Sequence, residues 1–250
     1  MTYRALLLDF YGTLAESPDW GPSWQEILAE QGIDLPDDVR DRWWGDGIDG
    51  AEHDEHSQSR DHYMAWQRER MSGLLADCGV SDDRHAPIID RFRSVGAHRR
   101  IVAYDEVATV LTAARDRGLT LAICSNWDWD LAEAVESAGL LGHVDLMVSS
   151  AWVGARKPHP RIYTHTLEQA GVTPDEALFV GDTWGPDVDG PRAAGMTPVY
   201  VRRAHRSAIT PPPTTPTTTR SRASPTCTAS STSSTLPSRD ARSPIRLLAA

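Results

Sequence analysis

Polar residues with catalytic potential stand at the ends of apolar runs in four places along the chain. These residues are Asp9, Ser125, Asn126, Lys157, Asp182 and Asp187. A carboxylate such as Asp9 can attack an electrophile and form a covalent intermediate, and the Lys157 ammonium could offset the charge of a transferring phosphoryl group. Three carboxylates brought together repel one another, and a hard divalent cation such as Mg²⁺ relieves that repulsion. The set therefore points to nucleophilic catalysis beside a metal ion.

Two residues of this set are the only ones of their type in the whole chain. Lys157 is the only lysine among 25 basic residues, and Asn126 is the only asparagine. Because a compact ammonium and a planar guanidinium differ in reach and hydration, we infer that these residues stand where substitutes fail. Structural alternatives remain open at this point: Ser125, Asn126 and Asp187 could cap helices, and Lys157 could be an exposed loop charge.

The order of apolar runs and helical patterns predicts an α/β fold. The predicted strands are 4–9, 119–124, 144–148, 177–180 and 197–201, and the predicted helices are 105–117, 128–138, 160–170 and 187–194. Strands that alternate with helices of this length imply a doubly wound parallel sheet. The chemistry of such sheets lies at the carboxyl ends of the strands, so the four places should meet there.

The composition changes along the chain and predicts three parts. Residues 1–14 and 100–204 form the α/β core, and residues 15–99 form a smaller α-helical cap that would exclude water and select the substrate. Residues 205–250 form a tail: from Ser207 onward, 26 of 44 residues are Ser, Thr or Pro. Such a segment buries too little apolar surface to fold, so it is either a disordered extension or the product of a frame shift.

The four places resemble the motifs of the haloacid dehalogenase superfamily, in the subfamily with a helical cap between motifs one and two. The run from Asp9 to Leu14, Asp-Phe-Tyr-Gly-Thr-Leu, is the first motif, and the resemblance covers about residues 4–203. It implies a Rossmann-like core, a small-molecule substrate and Mg²⁺ held by Asp9, the Tyr11 carbonyl and Asp182, with Asp187 holding water of the metal. The candidate site comprises the catalytic residues Asp9, Tyr11 and Lys157, the substrate-binding residues Thr13, Ser125, Asn126 and Lys157, and the metal-binding residues Asp9, Tyr11, Asp182 and Asp187.

Tyr11 departs from the phosphatase pattern. Phosphatases of this superfamily usually carry a second aspartate there as general acid and base, and a tyrosine is a poor substitute. The true haloacid dehalogenases have Asp-x-Tyr-Gly-Thr at this point, but they lack an acid in the place of Asp182 because they need no metal. We expect a Mg²⁺-dependent phosphatase that forms an aspartyl-phosphate at Asp9. The alternatives are a 2-haloacid dehalogenase acting through an ester at Asp9, and a weakly catalytic ligand-binding or regulatory protein.

The net charge and the length of the apolar runs limit the possible binding partners and the cellular location of the protein. The formal net charge is −10, and the residues before His205 carry −15, which disfavours nucleic-acid binding. No run approaches the roughly 20 apolar residues of a membrane span, and no signal peptide is evident. Three cysteines without paired spacing suit a reducing compartment. We expect a cytoplasmic monomer or homodimer without nucleic-acid or membrane partners.

Several weaker candidates lie in the predicted cap and after the second motif. His53, His56 and His62 fit no closed zinc pattern and favour a solvated helix. Arg40 and Arg42 could clamp a substrate carboxylate or lie on an exposed face. The tryptophans could line a pocket or fill the cap core, and those after the second motif are the better pocket candidates: Trp20, Trp24, Trp43 and Trp44, then Trp127 and Trp129.

Overall fold

The computed structural model describes residues 2–19, 21–43, 48–97, 99–203 and 246–249. Its strands are β1 Ala5–Leu8, β2 Ala15–Glu16, β3 Val102–Ala103, β4 Thr120–Ser125, β5 Leu146–Ser149, β6 Ala177–Gly181, β7 Thr197–Arg202 and β8 Arg246–Ala249. Its α-helices are α1 Trp24–Glu30, α2 Asp37–Trp43, α3 Arg60–Asp77, α4 His85–Ala97, α5 Val107–Asp116, α6 Leu131–Ser137, α7 Ser150–Val153, α8 Pro160–Ala170 and α9 Gly190–Ala193.

A parallel sheet in the order β5-β4-β1-β6-β7 forms the centre of the molecule, and β8 pairs antiparallel with β7 at its edge. β1 is central, with Leu8 opposite Ile123 of β4 and Val180 of β6. All four of its residues are buried. Alternate side chains of β1 point to opposite faces, as in any strand, and both faces are packed. The predicted doubly wound, Rossmann-like fold is therefore confirmed.

Each face of the sheet has its own apolar cluster. Leu6 and Leu8 pack with α5 and α6 on one face, through Val107 and Leu131 among others. Ala5 and Leu7 pack on the other face with residues of α8. Strands covered on both sides are the reason that the sequence shows continuous apolar runs in place of alternation.

The insertion, defined here as helices α1 to α4, lies between β2 and β3 and has a third apolar cluster of its own. Ile27 of α1, Leu75 of α3 and Ile89 of α4 are buried in it. The Trp24 ring stacks on Phe92 at 4.4 Å between centroids. None of the described helices is both long and apolar enough to cross a membrane.

Some elements differ from those expected. The short antiparallel ribbon of β2 and β3 at the base of the insertion was not predicted. The predicted helix 187–194 is instead a π-helical turn, Gly185–Asp189, followed by the four-residue α9. Pro191 lacks the amide hydrogen that would donate to the Asp187 carbonyl in a regular helix over 187–194, which accounts for the break there. The tail 205–250 lies outside the described residues apart from β8, and the domain limits at 15 and 99 stay predictions.

Candidate active site

Asp9 follows β1 and lies at the carboxyl edge of the sheet. Its amide donates to the Val180 carbonyl at 2.9 Å, which extends the pairing with β6 by one residue, and only 7% of Asp9 is exposed. The chain then turns at Gly12, whose φ of 88° is in the region that favours glycine. This turn brings Thr13 back, with its hydroxyl 3.4 Å from Asp9 Oδ2. The carboxylate is thus presented at a fixed position beside a hydroxyl donor.

Lys157 is buried against two carboxylates. Its Nζ lies 2.7 Å from Asp9 Oδ1 and 2.7 Å from Asp187 Oδ1, and 1% of the residue is exposed. Burial alone would lower the pKa of this lysine, but the negative charges of Asp187 and Asp9 outweigh it and raise the pKa well above the ordinary value. The chain's only lysine is therefore a charged group at the centre of the site and not an exposed loop charge.

Asp187 lies on the π-helical turn and is 1% exposed. Its second oxygen, Oδ2, accepts from the Thr183 amide at 2.9 Å, so both oxygens are engaged. Burial raises the pKa of Asp187, Lys157 opposes that rise, and the nearby Asp9 adds to it. Gly181 allows this approach, because a Cβ there would lie 2.3 Å from Asp187 Cγ.

The three aspartates of the first and fourth motifs converge. One carboxylate oxygen from each of Asp9, Asp182 and Asp187 lies within 4.8 Å of the other two. The Thr13 hydroxyl is 3.4 Å from both Asp9 Oδ2 and Asp182 Oδ1, so it joins these two groups. Oxygen donors carrying excess negative charge are the ligands that Mg²⁺ prefers. The residues present therefore fit a divalent cation of this kind.

Ser125 and Asn126 connect the site to its surroundings. The Ser125 hydroxyl donates to Asp9 Oδ1 at 3.0 Å. The Asn126 side chain accepts from the Lys157 amide at 2.6 Å and donates to the Lys157 carbonyl at 3.0 Å and to Asp49 Oδ1 at 3.3 Å. α6 starts only at Leu131, so neither residue caps it. The chain's only asparagine fixes the backbone of its only lysine.

Tyr11 lines the cavity, but its hydroxyl is engaged on the side of the insertion. That oxygen accepts from the Ser17 amide at 3.1 Å, and the ring lies 6.0 Å from the Trp127 ring. The cavity measures about 280 Å³ and contains most of the candidate residues. Its lining also includes side chains that the sequence did not single out: Asp49, Arg99, Arg156, Thr183 and Pro186.

Of these additional residues, Arg156 had a signal in the sequence, since it directly precedes Lys157. Asp49 belongs to no motif and reaches the cavity from the insertion. Trp127 lines the cavity as expected. Trp129 lies 5.9 Å from the Tyr63 ring. Only the three-dimensional arrangement brings Asp49 to the site.

The weaker candidates have structural roles in the described part of the chain. The His53 and His56 rings stack on Trp66 at 4.8 and 5.0 Å, and the ring of His62 lies 6.3 Å from that of His56. Burial lowers the pKa of His53 to about 4, which keeps the ring neutral. Within the described ranges, the group of acids and histidines that could hold a metal is the aspartate trio.

The remaining cap candidates lie away from the cavity. Arg40 and Arg42 are exposed and pair with acids, Arg40 with Asp37 and Arg42 with Asp77. Trp24 and Trp43 pack against the apolar cluster of the insertion. Trp20 and Trp44 lie outside the described residues.

Comparison with known proteins places the chain in a family. The phosphoserine phosphatase of Thermus thermophilus is 38% identical over 133 residues, covering 53% of this chain and 53% of that protein. The chain therefore spans about half the length of that relative. The phosphoglycolate phosphatase of Shigella boydii serotype 4 is 26% identical over 211 residues, 78% of this chain and 80% of that protein.

A solved HAD phosphatase from Thermococcus onnurineus has the same fold, with a TM-score of 0.51, 23% identity and coverage of 82% of this chain and 89% of that one. A model of the haloacid dehalogenase-like hydrolase family matches residues 3–195. This match includes every motif around the aspartate trio. The chain belongs to the haloacid dehalogenase-like hydrolase family.

Proposed function

We propose that this hydrolase is a Mg²⁺-dependent phosphatase that acts on a small phosphorylated metabolite through an aspartyl-phosphate at Asp9. The observation that carries the proposal is the convergence of Asp9, Asp182 and Asp187 within 4.8 Å. A metal-independent dehalogenase would have no need of the acid at position 182. The phosphatase names of the relatives from Thermus and Shigella support the same choice.

The two oxygens of Asp9 have different neighbours, and this division suits phosphoryl transfer. Oδ1 accepts from Lys157 and Ser125, which would bind oxygens of the phosphoryl group once a substrate enters. Asp9 attacks the phosphorus, and the bond to the leaving oxygen breaks with its electron pair going to that oxygen. Lys157 donates a hydrogen bond to Asp9, and its positive charge offsets the negative charge that the substrate adds to an already acidic site.

The cation would be held on the other side of Asp9. Oδ2 lies beside the Thr13 hydroxyl, which also contacts Asp182 Oδ1, and we assign Asp9, Asp182 and the Tyr11 carbonyl as direct ligands. Asp187 has both oxygens engaged by Lys157 and Thr183, which suits an outer position better than direct ligation. Bound Mg²⁺ supplies positive charge that neutralises phosphoryl oxygens and fixes their orientation.

The cavity supports a small and anionic substrate. Its volume of about 280 Å³ lies just below the ligand-pocket range of roughly 300 to 1,000 Å³. Arg99 and Arg156 add positive charge to its lining, so an acidic metabolite is favoured over a neutral one. We propose that it acts in the cytoplasm.

Dehalogenation of a 2-halo acid is the second candidate, and Tyr11 is the observation that favours it. The first motif has the dehalogenase form, and no carboxylate stands at that position. Asp182 argues against it, because its charge would lie beside Asp9 without a function. A ligand-binding or regulatory protein with poor turnover is the third candidate and predicts no release of phosphate or halide.

A metabolite panel tests the proposal. The protein should release phosphate from small phosphorylated acids with Mg²⁺ and not with excess chelator, and Asp9→Asn should abolish release. A matched control is Asp189→Asn, which changes an exposed aspartate on the π-helical turn that carries Asp187. Release of halide from 2-chloropropionate without phosphatase activity on any panel member would overturn the phosphatase assignment.

A further inference from the structure

The proposed reaction lacks an evident proton donor. An alkoxide is a poor leaving group, so the leaving oxygen needs a proton, and water must later lose one to attack the aspartyl-phosphate. Tyr11 stands where a carboxylate would serve, and its hydroxyl accepts from the Ser17 amide. Among the described residues that line the cavity, the carboxylates are Asp9, Asp49 and Asp187.

Two of those carboxylates are committed to other roles. Asp9 is the nucleophile, and Asp187 is buried with one oxygen on Lys157 and the other on the Thr183 amide. Asp49 is different, because it enters from the insertion and its side chain is 20% exposed. We propose, on the basis of the proposed phosphatase function, that Asp49 is the general acid and base of this enzyme.

Hydrogen bonds from Asn126 connect Asp49 to the backbone of Lys157. Asn126 Nδ2 donates to Asp49 Oδ1 at 3.3 Å and to the Lys157 carbonyl at 3.0 Å. The next residue of the loop, Gly50, donates its amide to the same carbonyl at 3.2 Å. The Asn126 side chain and the Lys157 carbonyl therefore position both Asp49 and Lys157.

The cavity is small enough for a substrate to contact both carboxylates. Asp9 and Asp49 both line this cavity of about 280 Å³, so a phosphate ester bound in it lies close to both carboxylates. Arg156 Nη2 lies 3.9 Å from Asp49 Oδ1, and the carboxylates of Asp9 and Asp187 line the same cavity as Asp49.

The proton balance of the two steps is complete. In the first, Asp9 attacks phosphorus, the bond to the ester oxygen breaks, and the Asp49 carboxylic acid gives its proton to that oxygen, releasing the alcohol. In the second, the Asp49 carboxylate takes a proton from water, the water oxygen bonds to phosphorus, and the bond to Asp9 breaks with its electrons returning to the carboxylate. Phosphate leaves, and Asp49 is protonated again.

The test uses three esters of similar size whose leaving oxygens grow more basic: p-nitrophenyl, phenyl and benzyl phosphate. With Mg²⁺ present, Asp49→Asn should lower kcat/KM for benzyl phosphate by about 10²-fold or more. The p-nitrophenyl ester needs no proton to leave, so its kcat/KM should fall far less. Asp49→Glu should recover part of the loss, and Glu52→Gln, in the same loop and outside this lining, should leave all three values unchanged.

The outcomes separate the two proposals. An equal loss on all three esters in folded Asp49→Asn would show a structural role and overturn the inference, and so would no loss at all. Either result leaves the phosphatase assignment standing if the parent hydrolyses the esters and Asp9→Asn does not. A parent protein that hydrolyses no phosphate ester with Mg²⁺ would overturn both. If Asp49→Asn fails to fold, the same comparison is made with Asp49→Glu. The change in kcat/KM from p-nitrophenyl to benzyl phosphate in that variant then decides.

Discussion

Lys157 holds two buried carboxylates, Asp9 and Asp187, at 2.7 Å from its ammonium nitrogen. Lys157→Met would leave both without their cation, and removal of one partner of a buried ion pair costs about 3 to 5 kcal/mol. The free energy of unfolding should fall by about that amount in urea titrations, and phosphate release should be lost.

An exposed arginine provides the comparison for this change. Arg115 pairs with Asp145 at 3.3 Å, with both side chains 42% exposed. Arg115→Met should cost less than about 1 kcal/mol, because exposed pairs contribute little. If the two variants were equally stable, Lys157 would not be the group that makes the buried carboxylates tolerable.

Gly181 is required by the close approach of Asp187. A Cβ at this position would lie 2.3 Å from Asp187 Cγ, so Gly181→Ala must displace the aspartate or the turn that carries it. Overpacking of this kind costs about 1 to 3 kcal/mol, and kcat should fall because Asp187 positions Lys157. Gly142→Ala is the control, since nothing lies within 4 Å of its added Cβ. Unchanged turnover in Gly181→Ala would contradict the role of Asp187.

At the scale of elements, the insertion and the sheet have separate apolar clusters. Phe92 is 2% exposed in the insertion, and Phe179 is fully buried in the sheet. Phe92→Ala should cost about 3 to 5 kcal/mol of local stability and raise hydrogen exchange in α1, α3 and α4 before the strands. Phe179→Ala should raise exchange in the strands. If Phe92→Ala exposes β1 and β4 equally, the two parts unfold as one unit.

The sequence predicted the elements whose patterns are long and repeated. The buried strands show as apolar runs, and the motif residues at their ends had to meet at one edge of the sheet. Strands of two residues, such as β2 and β3, are too short to show alternation. The contact between Asp49 and Asn126 joins residues 77 positions apart, so no local pattern could reveal it.

For the whole molecule, metal binding by the aspartate trio would be coupled to folding. A cation that binds only the folded state at about 100 times its Kd adds about 2.7 kcal/mol, which is a rise in Tm of roughly 5 to 10 °C at this size. Mg²⁺ should produce such a rise in the parent and in Asp189→Asn. Asp182→Asn should show none, and its metal-free Tm should equal or exceed that of the parent because one repelling charge is gone. If the Tm of the parent protein is the same with and without Mg²⁺ at matched ionic strength, that result would argue against the metal site.

The most direct measurement of the central claim follows the oxygen of water through one turnover. In water enriched in heavy oxygen, with Mg²⁺ and an excess of enzyme over a phosphate ester, hydrolysis of an aspartyl-phosphate at phosphorus places the label in the released phosphate. The peptide containing Asp9 should then remain unlabelled by mass spectrometry, and Asp9→Asn should release no phosphate. Label that appears in Asp9 during turnover of 2-chloropropionate, with no phosphate released from any ester, would contradict the phosphatase account and establish an ester intermediate.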